Sequence, residues 1–307
     1  MPTRNLGPAL AAALVTLALA APAAPAAEPP VERGRYLVEV LAACGNCHTP
    51  KGPAGDLPGK HLAGGGSITE EFGTAIASNI TPDRTTGIGG WRDAEIVRAI
   101  REGKSKSGRT LGPPMPFELY RQLSDTDVTA IVAYLRSVKP VRNRVAKSRY
   151  TMPLPPSWGP PVTSVPDPPQ EILQYGAYLA GPIAHCVECH TPPGPGGRRD
   201  DARRLFAGGR KFTGPWGVTY SANLTTDRET GLGEWTTDQI VAGINGLRRD
   251  GSPERAPMPW PYYAGRIADR DMRALVAYLK SLPPIRSVVP PAEPPKPPEP
   301  TRRRPGR

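Results

Sequence analysis

The chain has 307 residues, room for two ordinary domains, with 41 prolines, 33 glycines and a formal charge of +11. Apolar residues make up only 38% and aromatic residues 6%, so side chains alone would build thin cores and something else must fill the interiors. Proline and glycine concentrate between clear helical patterns, which excludes wholesale disorder, and no run of eighteen apolar residues marks an ordinary transmembrane helix.

In chain order, residues 1–26 read as a cleaved signal peptide: Arg4, an apolar stretch over 9–21, then Ala24 and Ala26 placed for cleavage. That predicts export to the periplasm. A first unit, 27–149, opens with a helix carrying Tyr36, Leu37, Val40 and Leu41 at helical spacing. A short helix follows from Asp93 as N-cap, with Ile96, Val97 and Ile100 on one face. The clearest helix begins at Ser124, which with Asp127 resembles a capping box, and presents Val128, Ile131, Val132 and Leu135. Between the helices the chain is Gly- and Pro-rich loop with little strand signal. Residues 150–169 are dense in proline and predict a stiff, extended linker. A second unit, 170–285, repeats the helices. Pro182 predicts a shortened first helix, Thr237 caps the second, and Met272, Leu275, Val276 and Leu279 face the core from the last. Residues 286–307 form a basic proline-rich tail ending in Arg302, Arg303, Arg304 and Arg307, read as disordered. The tail also suits an acidic partner or peripheral association with an anionic membrane surface. Nothing in the chain matches a nucleic-acid-binding module.

The two units are one sequence written twice, about 142 to 144 residues apart. Gly34-Arg-Tyr-Leu returns as Gly176-Ala-Tyr-Leu, and Cys44-Gly-Asn-Cys-His-Thr-Pro50 as Cys186-Val-Glu-Cys-His-Thr-Pro192. Asn79 to Trp91 returns as Asn223 to Trp235, and Pro114-Met115-Pro116 as Pro257-Met258-Pro259. Solenoid repeats are far shorter, so this period means two similar domains.

C-x-x-C-H is the attachment signal for c-type haem. Two cysteines two residues apart reach two vinyl groups on one porphyrin edge, and the next histidine faces the iron. Cys44, Cys47, Cys186 and Cys189 are all the cysteines of the chain, so none is left over for structural disulfides. Zinc would find only three consecutive ligands in each cluster, and a thioredoxin-like dithiol would need a βαβ setting that the pattern lacks. The reading is therefore two covalently bound haem c groups, with His48 and His190 as axial iron ligands. Met115 and Met258 follow those histidines by 67 and 68 residues, each between two prolines that hold it out of helix. Both are candidates for the second axial ligand. Met272 occupies a core helix position, Met152 has no counterpart in the repeat, His61 suits a polar loop role, and His185 has no evident partner. Asn79, Asn223, Trp91 and Trp235 could hydrogen-bond haem propionates, brace the methionine loop or serve only turns and packing. Gly64, Gly65, Gly208 and Gly209 fit either close approach to the macrocycle or turns.

On these residues both halves resemble class I cytochrome c domains. The Asn79–Trp91 run with Pro-Met-Pro and Ala133-Tyr-Leu is similar to the cytochrome c subunits of periplasmic membrane-bound alcohol, gluconate and sorbitol dehydrogenases. Those subunits usually carry three haems where this chain has two motifs, and Thr226 stands where the family tends to have proline. The resemblance implies a mainly α protein of two tandem class I domains. Its expected work is electron transfer from a dehydrogenase donor towards a cytochrome or oxidase acceptor. The rival is a dihaem enzyme such as a cytochrome c peroxidase or a thiosulfate dehydrogenase, which would need an open iron position; two matching Pro-Met-Pro loops argue for a carrier with no catalytic residue.

Overall fold

The computed structural model describes residues 30–53 and 55–295; the segment read as a signal peptide and the terminal arginines lie outside the described residues. In the first domain α1 (Pro30–Tyr36) runs straight into a π-helical turn, Leu37–Leu41, closed by Ala42 N–H donating to Leu37 O at 2.8 Å. The one-turn α2 (Gly45–His48) carries the first C-x-x-C-H residues. Strands β1 (Lys51–Gly52) and β2 (Gly55–Asp56) pair, and β3 (Ser67–Glu70) and β4 (Gly73–Ile76) form an antiparallel hairpin with Ser67 opposite Ile76. Then come α3 (Asp93–Glu102), α4 (Phe117–Tyr120) and α5 (Asp125–Ser137), after which β5 (Arg149–Tyr150) adds to β4.

The second domain repeats this order. It holds α6 (Ile172–Tyr178) with its own π turn Leu179–Ile183, α7 (Cys186–His190), the hairpin of β6 (Lys211–Gly214) and β7 (Gly217–Tyr220), α8 (Thr237–Ile244), α9 (Trp260–Tyr263) and α10 (Asp269–Ser281). Helices are the main regular elements, but most of the described chain is loop.

Each domain is built on one crossing of helices, α1 on α5 and α6 on α10. The repeated glycine makes it: a Cβ on Gly34 would stand 1.9 Å from Ala130 O, and one on Gly176 2.1 Å from Ala274 O. Backbone therefore touches backbone. The buried face of α5 is Val128, Ile131, Val132 and Leu135, and that of α10 is Met272, Leu275, Val276 and Leu279, as the spacing predicts. Ser124 caps α5 by accepting from Asp127 N–H at 3.1 Å, while the Asp127 carboxylate turns away to Arg33 and Tyr178.

Three local expectations need correction. The hairpins β3–β4 and β6–β7 are strands where the pattern shows little. Pro182 does not shorten the helix of the second domain: the wide π turn draws the carbonyls away from the proline ring, and the run ends level with its counterpart. The N-caps of α3 and α8 are Arg92 and Thr236, one residue before Asp93 and Thr237, because the returning bonds come from Glu95 and Gln239. The proline-dense stretch 151–170 lacks regular secondary structure and lies along the first domain. Trp158 stacks on Phe117 at 5.7 Å and donates from Nε1 to Leu111 O at 2.8 Å, and Lys104 and Arg121 donate to the carbonyls of Pro156 and Pro160.

The domains dock by a reciprocal pair of bonds. Tyr36 OH donates to Asp271 Oδ2 at 3.0 Å and accepts from Ala268 N–H at 3.1 Å. Its repeat, Tyr178, donates to Asp127 Oδ2 at 2.8 Å and accepts from Ser124 N–H at 2.9 Å. Each tyrosine thus reaches the start of the last helix of the other domain, a two-fold relation within one chain.

Candidate haem sites

The π turns set up the motif. Two residues beyond each turn the backbone enters the left-handed region, Ala43 at φ 46° and His185 at φ 42°, which swings the chain into α2 or α7. From there His48 Nδ1–H donates to Ser78 O at 2.7 Å, and His190 Nδ1–H to Ala222 O at 2.8 Å. That bond fixes ring and tautomer and leaves Nε2 free to bind a metal. Burial pushes both imidazoles below their usual pKa, so the neutral, ligating form is favoured. The motif threonines are buried braces: Thr49 Oγ1 accepts from Leu62 N–H and Thr191 Oγ1 from Phe206 N–H, both at 3.0 Å.

A cavity of about 2000 Å³ opens beside the first motif, well above the ~1,000 Å³ of a large small-molecule pocket. Cys44, Cys47, His48 and Met115 all stand on its wall, with Trp91. The same cavity continues to Cys189 and Met258 of the second domain, whereas Cys186 and His190 are not on its wall. This is the interior volume that the apolar composition leaves unfilled. None of the four cysteines is in a disulfide, and burial drives the thiols of Cys44 and Cys186 up to about 12 and that of Cys189 up to about 11. Such surroundings penalise the thiolates that zinc requires and suit uncharged thioethers. A large apolar cleft, two cysteines on one wall and a neutral, oriented imidazole fit a covalently attached haem.

The repeated asparagines have a different task from propionate binding. Asn79 is buried, donates to Thr86 Oγ1 at 3.1 Å and Val141 O at 2.8 Å, and accepts from Thr81 N–H at 3.0 Å. Asn223 makes the same set with Thr230, Ile285 and Thr225. They are clamps tying the loop to the segment after the last helix. Gly64 and Gly208 serve backbone crossings: a Cβ on Gly64 would meet Asn79 N at 2.4 Å, and one on Gly208 Ala222 C at 2.5 Å. His61 lies away from the cavity and pairs with Glu39 Oε1 at 2.8 Å. His185 is the residue sequence reasoning left without a role. It lies on the cavity wall at the domain junction, edge-on to Tyr120 with ring centroids 6.1 Å apart. Its only sequence signal is that it replaces Ala43 of the first unit.

Comparison with known proteins follows the same duplication. The family model for cytochrome c matches residues 31–139 and again 176–283. The cytochrome c subunit of a quinone-type alcohol dehydrogenase from Gluconobacter oxydans is 34% identical over 298 residues, covering 90% of this chain and 60% of the relative. The cytochrome c subunit of gluconate 2-dehydrogenase from Pantoea cypripedii is 33% identical over 82% of this chain and 59% of its own length. A diheme c-type cytochrome from Cereibacter sphaeroides is 30% identical over 79% of this chain and 82% of its own. The chain thus spans about three-fifths of the two dehydrogenase subunits. With one matched domain and one C-x-x-C-H motif in each half, the chain belongs to the cytochrome c family as a dihaem electron-transfer cytochrome with two covalently bound haem c groups.

Proposed function

We propose that the chain carries single electrons in the periplasm from a dehydrogenase towards a respiratory cytochrome or oxidase, and that it does so as a carrier without a catalytic site. In this reading Cys44 and Cys47 hold the first haem and Cys186 and Cys189 the second. His48 with Met115, and His190 with Met258, would bind the two irons. Haem contributes an iron that cycles between two oxidation states, at the raised potential expected of a His–Met pair. The protein's own work is to orient the two imidazoles through Ser78 O and Ala222 O, to present the thioethers from Pro-Met-Pro loops, and to exclude water with an apolar wall. The observation that carries the reading is Met115 on the same cavity wall as Cys44, Cys47 and His48. With both a histidine and a methionine on each iron, neither site would offer an open position to peroxide or thiosulfate. Relatives named as dehydrogenase cytochrome subunits support the donor class. No helix among the described residues is long and apolar enough to cross a membrane, so contact with the inner membrane would be peripheral in this part of the chain.

The test is spectroscopic. Holoprotein made with haem-maturation machinery should retain two haems after denaturation, and its oxidised form should be low-spin, with the weak near-infrared sulfur-to-iron band at an intensity for two haems. Half that intensity, a high-spin site, or brisk peroxide turnover would replace the carrier with the enzyme reading.

A further inference from the structure

The loop 111–117 that presents Met115 contains three prolines, which have no N–H to donate, so it can make few bonds of its own. The chain after the first domain holds it instead, as a strap over residues 150–158. Tyr150 OH donates to Pro113 O at 3.2 Å, and its ring covers Gly112 so closely that a Cβ there would stand 2.3 Å away. Trp158 donates from Nε1 to Leu111 O at 2.8 Å and stacks on Phe117 with ring centroids 5.7 Å apart. The same indole covers Gly103 at the end of α3, where a Cβ would come within 2.6 Å of it. Between the two aromatic residues, Leu154, Pro155 and Pro156 join Met115 on the cavity wall, and Pro156 O accepts from Thr110 Oγ1 at 3.1 Å. The second domain meets the same need from within. Thr219 of β7 donates from Oγ1 to Ala256 O at 2.8 Å, the carbonyl equivalent to that of Pro113, whereas the first domain has Ala75 in place of Thr219. Gly246, the repeat of Gly103, is covered by Trp260, the repeat of Phe117, with a Cβ 2.4 Å from its ring. One indole there fills the place that Phe117 and Trp158 fill together.

We propose that Tyr150 and Trp158 are positioning residues for Met115: the strap clamps the 111–117 loop and so sets how firmly the first iron keeps its sulfur ligand. The inference rests on Met115 being that ligand. Trp158 lies behind the loop, off the cavity wall, so it acts through the loop and not on the haem. Methionine opposite histidine raises the potential of the iron. A looser loop therefore lowers the potential of the first haem and opens its distal side to an outside ligand. The second haem, whose methionine loop is held by Thr219 and Trp260, is indifferent to the strap.

The experiment uses the full-length holoprotein, with its mass measured first so that failed haem attachment is read separately. Trp158→Ala removes ring and donor together, so the open population of the loop, read as the rate of carbon monoxide binding to one reduced haem, should rise about tenfold. The near-infrared sulfur-to-iron band should weaken by no more than half, and only one of the two potentials should fall. Trp158→Phe keeps a stacked ring and should recover part of the loss. Met115→Ala, alone and combined with Trp158→Ala, completes the cycle: if Trp158 works through Met115, the double variant binds carbon monoxide as Met115→Ala does. Should Trp158→Ala lose haem, Tyr150→Phe takes its place, since it removes one hydrogen bond and no ring, with a rise of about threefold expected. With Met115→Ala opening the site, a wild-type rate in the haem-replete strap variant overturns the proposal and leaves the ligand reading intact. So does a double variant faster than Met115→Ala. A near-infrared band left whole by Met115→Ala removes the ligand reading, and this proposal with it.

Discussion

His48 Nδ1 is committed to the Ser78 carbonyl, and that one bond decides which nitrogen is left for the iron. In the proposed ligation the opposite ligand comes from a loop instead, with Met115 between two prolines, so the two sides of the site should respond differently to substitution. Met115→Ala should leave covalent attachment intact, lower the potential of the first haem alone and admit carbon monoxide there; Met258→Ala should do the same for the second. Carbon monoxide titration of the two variants checks this, and a spectrum unchanged by either substitution would assign another ligand at that site. The His61–Glu39 pair gives a residue-scale pH dependence. His61 is raised above its usual pKa, first by its hydrogen bond to Glu39. Glu39 is opposed by burial, but the bonds from His61 and Tyr134 outweigh it and leave the carboxyl lowered. The stability that His61 contributes is therefore complete below its unfolded pKa of about 6.5 and disappears as pH rises through its higher folded value. The Glu39 share is present above its unfolded pKa and is lost as pH falls through its lower folded value. His61 is about half exposed, so the pair is worth about 0.2–1 kcal/mol. His61→Gln should cost that much in denaturant midpoints near pH 6 and almost nothing near pH 9.

At the scale of elements, each domain hangs on a helix crossing closed by one missing side chain. Gly34→Ala drives a methyl into Ala130 O, and Gly176→Ala into Ala274 O, so the helices must separate at a cost of about 1–3 kcal/mol each. Gly181→Ala is the control, since a methyl there meets nothing within 4 Å and should leave thermal unfolding unchanged or slightly improved. Equal gains at all three would mean that helix propensity, not packing, governs these positions. The core faces of α5 and α10 were legible in the sequence because apolar residues at a 3.6 period have no other economical explanation. The hairpins were not, since Ser67–Glu70 and Gly73–Ile76 are strands of only four residues, the second opening on a glycine, and are too short for alternation to register. Pro182 misled because proline was weighed against an α-helix, whereas the chain makes a π turn there. For the site, motif spacing singled out Cys44, Cys47, His48 and Met115, which the structure brings to one cavity wall. It missed the work of Asn79 and Asn223, whose partners Val141 and Ile285 lie some sixty residues on, and that of Tyr36 and Tyr178, whose partners lie in the other domain.

At the scale of the whole molecule the duplication is symmetric in fold and asymmetric in charge. The segment after α5 carries Lys139, Arg142, Arg144, Lys147 and Arg149, all exposed, and none forms an ion pair among the described residues. The neighbouring Val145, Ala146 and Ser148, with Lys147, reach the cavity wall. The corresponding segment of the second domain offers Arg286, which is already bound to Glu229 at 3.0 Å, and the acidic Glu293. A row of exposed, unpaired positive charge thus borders the first site, and the equivalent segment of the second domain has no such row among the described residues. Electrostatic steering acts over a Debye length of about 10 Å at 0.1 M salt, so an acidic redox partner should associate more slowly as ionic strength rises. Lys147→Glu with Arg149→Glu should lower the low-salt association rate by about tenfold and flatten its salt dependence, because long-range charge changes act mainly on the rate of encounter. Arg286→Glu, at the equivalent place on the other domain, should change it far less. Stopped-flow reduction by the proposed dehydrogenase donor at several salt concentrations measures all three proteins. A rate indifferent to salt in the wild type would remove charge from the recognition of the donor, and an equal loss in both variants would spread the docking surface over the two domains.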